Sequence, residues 1–332
     1  MNYRMAEGAS YEGRDSDGNE TFRVSIPADE HGYFGRQCPS CEQLFRIHSA
    51  DYEALPDDLK LTCAYCGHVD DHGDFMTQQQ RDRAMRAAQD FAMQLIGQAL
   101  DSSFGSLARS TRSNRFVKFT YRSKPFYPEP LPGIDEERLV RERVCPTCKT
   151  RYAVFGEHRF CPVSGPLTAR DVATDALAAE TAKLDALSDI PEAQRAVLRE
   201  QGVFDRLYVD TIGHVVGIIE AVASATFNAR ATNASVLLKG KGNIFQRLDD
   251  LADLFVEHLG INVREAEGVE WPTLLRLWAG RHVHMHADGL VDERYLRSVP
   301  DSPLKVGQRV VVAEVDARTA IRLASSLCEA IA

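Results

Sequence analysis

The chain of 332 residues has no apolar signal core near its N-terminus, no internal repeat and no phosphate-binding glycine loop. Gly240-Lys241-Gly242 is too short to be such a loop. The most apolar segment, 212–227, is interrupted by His214 and Glu220 and reads as too short to span a bilayer. A cytoplasmic protein with no membrane partner is therefore expected. Positive charge is also short, with a net charge of −9. That argues against nucleic-acid coating by the whole surface, so any RNA contact needs local basic patches.

Cysteine is not scarce. Eight are present, and seven fall into metal-like spacings. Without a secretion signal this favours zinc over disulfides. Cys38-Pro39-Ser40-Cys41 is followed, after 21 residues, by Cys63-Ala64-Tyr65-Cys66-Gly67. Each Cys-x2-Cys turn presents two thiolates, and two turns complete a tetrahedron. A redox dithiol fits poorly, because two such pairs need a common purpose. The second site opens with Cys145-Pro146-Thr147-Cys148 and continues, nine residues later, with His158, Cys161 and Ser164. A four-cysteine ribbon would have cysteine where Ser164 stands. His158 is therefore taken as the fourth ligand, the alternative being a degenerate ribbon without metal. Two structural zinc ions per chain are expected, one on Cys38, Cys41, Cys63 and Cys66, the other on Cys145, Cys148, His158 and Cys161. Cys328 lies alone in an apolar helical run and reads as a core residue.

The expected fold is mainly α with small β zinc ribbons. Residues 1–30, rich in Glu, Asp, Gly and Ser, read as a flexible tail. Zinc ribbon 1 covers 31–78, a helix and basic connector 79–115, zinc ribbon 2 116–166, a helical linker 167–202 and a helical domain 203–332. Ala84, Ala88, Phe91, Leu95 and Ala99 form a helical stripe, whereas 116–122 alternates like a strand. Between Arg81 and Lys124 lie nine Lys or Arg against three acids. Arg109, Arg112, Arg115, Lys118, Arg122 and Lys124, with Phe116, Phe119 and Tyr121 among them, suit single-stranded nucleic acid through phosphate contact and base stacking. The plainer alternative is a solvated helix face beside aromatics that fill a small core. From Val203 the periodicity predicts four main helices, which suit an antiparallel bundle. A short strand at 310–315 precedes the last of them, and Asp316 is placed to cap it.

The stretch from Arg281 to Leu296 carries the chemistry. Arg281 supplies a planar cation for a phosphate, and His282 and His286 titrate near neutrality. Pro272 suits a first helical turn, and Leu274, Leu277 and Trp278 continue the helical period. On one helix Arg281 and His286 point roughly 140° apart. Two copies related by a twofold axis could bring them together, so a homodimer is expected. The alternation of His282, His284 and His286 also fits a transition-metal site completed by Asp288, Asp292 or Glu293.

Arg281, His282, three further residues and His286, with the tail Gly289-Leu290-Val291-Asp292-Glu293-Arg294-Tyr295-Leu296, resemble the motif of the HEPN superfamily of helical domains. The resemblance covers about residues 203–332. It implies a metal-independent endoribonuclease that leaves 2′,3′-cyclic phosphate and 5′-hydroxyl ends. Arg281 would stabilise the transition state, His286 would move the proton and His282 would position a group. Relatives of this kind often act in bacterial defence or toxin systems, and the ribbon lobe would meet RNA, a protein partner or an activator. Many HEPN domains keep the fold without catalysis. The alternative is therefore an inactive dimeric binding or sensor scaffold.

Overall fold

The computed structural model describes residues 3–56, 58–113, 116–124, 126–135 and 141–332. The chain divides into two compact units, Met1–Pro166 and Leu167–Ala332.

The first unit begins with an antiparallel hairpin of β1 (Ala9–Arg14) and β2 (Glu20–Val24), which corrects the expected flexible tail. Its turn is held by the Asp15 carboxylate, which accepts from the Asp17 and Asn19 N–H groups at 2.9 and 2.8 Å. Polar composition masked a local alternation. Tyr11 and Phe22 from the hairpin, together with Tyr3, pack on Phe91. Next come β3 (Tyr33–Gln37), β4 (Leu44–His48), α1 (Ser49–Glu53), β5 (Leu61–Thr62), β6 (Val69–Asp70) and α2 (Gln78–Thr111). The unit ends with β7 (Glu142–Val144), β8 (Arg151–Val154), β9 (Phe160–Cys161) and β10 (Gly165–Pro166).

The two cysteine-bearing segments share one antiparallel sheet of order β3-β4-β8-β7, in which Ile47 lies opposite Tyr152. They also bond at their tips. The Thr62 N–H donates to Pro162 at 2.9 Å, and the Arg159 N–H donates to Ala64 at 3.0 Å. Gly67, at φ 75°, leaves room for the Phe160 ring, which a Cβ there would meet at 2.6 Å. Helix α2 starts from a capping box of Thr77 and Gln80. Gln80 reaches the sheet, donating to the Gly35 carbonyl at 2.7 Å and accepting from buried Arg36 at 2.9 Å. The helix runs past the expected end near Leu100. The expected strand at 116–122 is irregular backbone. Among the described residues no strand pairs with it, and Phe119 and Tyr121 instead pack on Phe104.

The second unit is helical. It contains α3 (Ala169–Ser188), α4 (Glu192–Glu200), α5 (Val203–Arg230), α6 (Ala234–Leu237), α7 (Leu248–Leu259), α8 (Trp271–His286), α9 (Glu293–Ser298) and α10 (Glu314–Ile331). Helix α5 is its axis: it packs on α10 and α3 and buries Ile212, Val215, Ile219, Val222 and Phe227. Its 28 residues are long and apolar enough to cross a bilayer, contrary to the shorter span read from the sequence. Residues 167–202 are more than a linker, since Ala173, Leu177 and Leu184 of α3 belong to the same core. Cys328 is buried there, and burial pushes its thiol up to about 12. The expected strand at 310–315 is not formed: 310–313 is irregular backbone leading into α10, and the bridge of Leu290 with Arg309 lies just before it. Asp316 does cap α10, accepting from the Ala313 N–H at 3.0 Å.

Phe227 is fully buried and meets Phe245, Phe255 and His258. Phe227→Ala should destabilise the helical unit by about 3–5 kcal/mol. Both tryptophans lie on α8, so their fluorescence during denaturation reports this unit alone. Metal content should not change.

Candidate functional site

The first cysteine group forms where two tight turns meet. Cys38 and Cys66 Sγ lie 3.7 Å apart, and Cys41 and Cys63 Sγ lie 3.6 Å apart. A tetrahedron with Zn–S bonds of about 2.3 Å has edges of roughly 3.8 Å, so the four thiols fit zinc. Burial pushes the Cys63 thiol up, and four ionised sulfurs in such a place need a cation between them.

The second group holds three thiols, Cys145, Cys148 and Cys161, close enough to bind a metal ion. His158 is not the fourth member. Its Nε2 is bonded to the buried Tyr152 hydroxyl at 2.9 Å, which keeps the ring in the core. Ser164 stands at the fourth corner instead, its Oγ 3.2 Å from Cys145 Sγ. Burial raises the Cys161 thiol to about 12. At Cys148 burial also raises the thiol, but hydrogen bonds led by the Thr150 hydroxyl outweigh it and bring the value to about 7.

In the helical unit a cleft of about 470 Å³ opens along the C-terminal half of α8. Arg281, His282 and His286 all line it, although Arg281 and His286 stand roughly 140° apart on the helix. They share it because residues 243–250 border one side and α9 the other, contributing Arg247 and Arg294. The His282 and His286 rings lie one turn apart, with centroids 4.6 Å from each other.

Charge in the cleft is uneven. Arg247 pairs with Asp250, and Asp249 accepts from Trp271 Nε1 and Arg264. Arg281 and Arg294 have no ion-pair partner among the described residues. Arg281 Nε and Trp278 Nε1 are buried donors without an acceptor. His282 is held below the usual histidine range, first by burial and then by the Arg294, His286 and Arg281 charges, which outweigh Asp292. It is therefore neutral at neutral pH and able to take a proton.

The reading of His282, His284 and His286 as metal ligands is corrected. Helix α8 extends to His286, so His282 and His284 point about 200° apart. His284 turns inward, and its Nε2–H donates to the Val310 carbonyl at 2.9 Å. Gly289, at φ 77°, lets the chain pass this ring, which a Cβ would meet at 2.8 Å. Asp292 caps α9 by accepting from the Tyr295 N–H at 2.7 Å.

Arg109 and Arg112 lie at the end of α2, and Lys118, Arg122 and Lys124 on the irregular segment; all five are exposed. Arg115 lies outside the described residues. Sequence reasoning missed Arg294 as a cleft residue. It had been read only as part of the tail after the motif, and its position depends on the turn at Asp288 and Gly289, where φ becomes positive.

No family model matches the chain. No curated protein matches it. No solved structure matches it either.

Elemental analysis should give two zinc ions per chain. Cys38→Ser and Cys145→Ser should each remove one ion, and His158→Ala should leave both in place.

Proposed function

We propose that the helical unit is a metal-independent endoribonuclease of HEPN type, acting through the α8 cleft. One observation carries the reading. A buried arginine donor without an acceptor lines the same cleft as two adjacent histidine rings, one of them held neutral. Unsatisfied buried donors call for an acceptor, and a phosphate oxyanion supplies one.

In the proposed reaction His282 takes the proton of the RNA 2′-hydroxyl. The 2′-oxygen bonds to phosphorus, and the bond from phosphorus to the 5′-oxygen breaks. His286 gives a proton to that 5′-oxygen. Arg281 stabilises the extra negative charge of the phosphorane-like transition state. The products are a 2′,3′-cyclic phosphate and a 5′-hydroxyl. From the sequence His286 was expected to move the proton and His282 to position a group; the proposal keeps His286 as the acid and makes His282 the base. In the same proposal zinc braces the small sheet of the first unit, and the exposed Arg109, Arg112, Lys118, Arg122 and Lys124 of that unit offer their own contact to RNA phosphates. The homodimer was expected from the divergence of Arg281 and His286; because both line one cleft, the proposal places the reaction within a single chain.

A second reading, an inactive binding scaffold, is favoured by the exposure of His286, which has no hydrogen-bond partner among the described residues. Incubation with a mixed-sequence RNA, without added divalent metal, separates the two. The proposal expects cyclic-phosphate ends by mass spectrometry. Arg281→Ala and His286→Ala should each slow cleavage by about 10²- to 10⁴-fold with zinc content intact. The acid limb of kcat/KM should fall below the ordinary histidine value of about 6.5, because the base is His282. Full activity in either variant, or a need for added metal, would contradict the mechanism.

A further inference from the structure

We infer that the α8 cleft holds two neighbouring phosphates of one RNA strand, with Arg281 on the phosphate that is cleaved and Arg294 on the next one. The inference rests on the ribonuclease reading of this cleft. It adds a residue outside the Arg–His motif and a requirement on the substrate, which must carry a second phosphate beside the scissile one for full binding.

Three observations support it. First, Arg294 stands on a fixed support. Asp292 caps α9 and Tyr295 is buried in the core. The preceding turn is tied to residues 307–310, with the Val291 N–H donating to Gln308 and the Val310 N–H donating to Gly289, both at 2.8 Å. An arginine on such a support loses less freedom on binding than one on a loose loop.

Second, both arginines lack the carboxylate that their neighbours have. Arg264 pairs with Asp253 at 2.8 Å, Arg276 with Asp316 at 2.8 Å and Arg322 with Glu270 at 2.6 Å. The acids of the cleft, Asp249 and Asp250, are engaged by Arg264 and Arg247. Two uncompensated cations on one cleft repel each other unless anions lie between or beside them. A single-stranded RNA brings such anions at regular intervals.

Third, the two arginines occupy different places. Arg281 has a buried Nε and sits on the helix that carries both histidines. Arg294 is exposed and comes from the helix that borders the cleft. The inner cation suits the reacting phosphate. The outer one suits a phosphate still facing water. The Arg294 charge also helps to keep His282 neutral.

The test uses the full chain with both metal sites loaded. Calorimetry measures binding of three mixed-sequence probes, each with a 2′-O-methyl group that blocks cleavage. They are a dinucleoside monophosphate, the same with an added 5′-phosphate and the same with an added 3′-phosphate. One added phosphate should tighten binding to the wild-type protein by about threefold to tenfold, as befits one partly exposed ion pair. Arg294→Ala should abolish that gain and weaken the plain probe by much less than Arg281→Ala does. Arg281→Ala should weaken all three probes alike. On a longer single strand, Arg294→Ala should lower the slope of log affinity against log salt by about 0.7. Arg294 is exposed, so unfolding midpoint and zinc content should not move.

The inference is overturned if neither added phosphate helps the wild type, or if Arg294→Ala keeps the gain. It is equally overturned if Arg294→Ala weakens all three probes alike, which would put Arg294 on the scissile phosphate. A wild-type protein that shows the gain but cuts no RNA would refute the ribonuclease and leave the two-phosphate cleft standing. A wild-type protein that binds none of the probes would overturn both.

Discussion

The α8 cleft depends on how the end of α8 is held. One hydrogen bond does much of this, from His284 Nε2–H to the Val310 carbonyl. It turns His284 inward and ties the last helical turn to the segment before α10. Val283 beside it is buried in the same core. With that side of the helix fixed, Arg281, His282 and His286 are left to line the cleft. The turn at Asp288 and Gly289 then brings α9 to its border, with Asp292 capping the helix and Arg294 beside the opening. His284 therefore acts through position. Burial keeps its proton affinity low, so it stays neutral, and the tautomer is set because a carbonyl can only accept.

The first unit solves a different problem. Its strands are short, four of them only two residues long, and its core is small. Two cysteine groups stand where a larger protein would have more apolar side chains. The pairing of β4 with β8 joins the two groups in one sheet, and the bonds from Thr62 to Pro162 and from Arg159 to Ala64 join their tips. The two cysteine groups are thus tied to each other through one sheet and its tips. The three-thiol group has a hydroxyl, from Ser164, at its fourth corner, a weaker donor than a thiolate.

Periodic features were legible in the sequence. Leu274, Leu277 and Trp278 announced α8, and the Cys-x2-Cys pairs announced the turns that bring the thiols together. Features set by distant partners were not. His158 has the right spacing for a ligand, but Tyr152, on the neighbouring strand, claims its ring. Residues 116–122 alternate like a strand but have no strand to pair with among the described residues. The first thirty residues look polar in composition, yet their aromatic positions meet Phe91 of α2. The angle between Arg281 and His286 was read correctly on the helix. What that angle could not show is that α9 and residues 243–250 close a single cleft around both.

The central proposal is that one chain completes the catalytic cleft. Mixing Arg281→Ala protein with an equal amount of His286→Ala protein tests this directly, with RNA cleavage as the readout. Wild-type protein should cleave, and the mixture should stay as inactive as either variant alone, because no chain in it has both residues. Recovery of cleavage in the mixture would mean that the site is shared between two chains and would contradict the account.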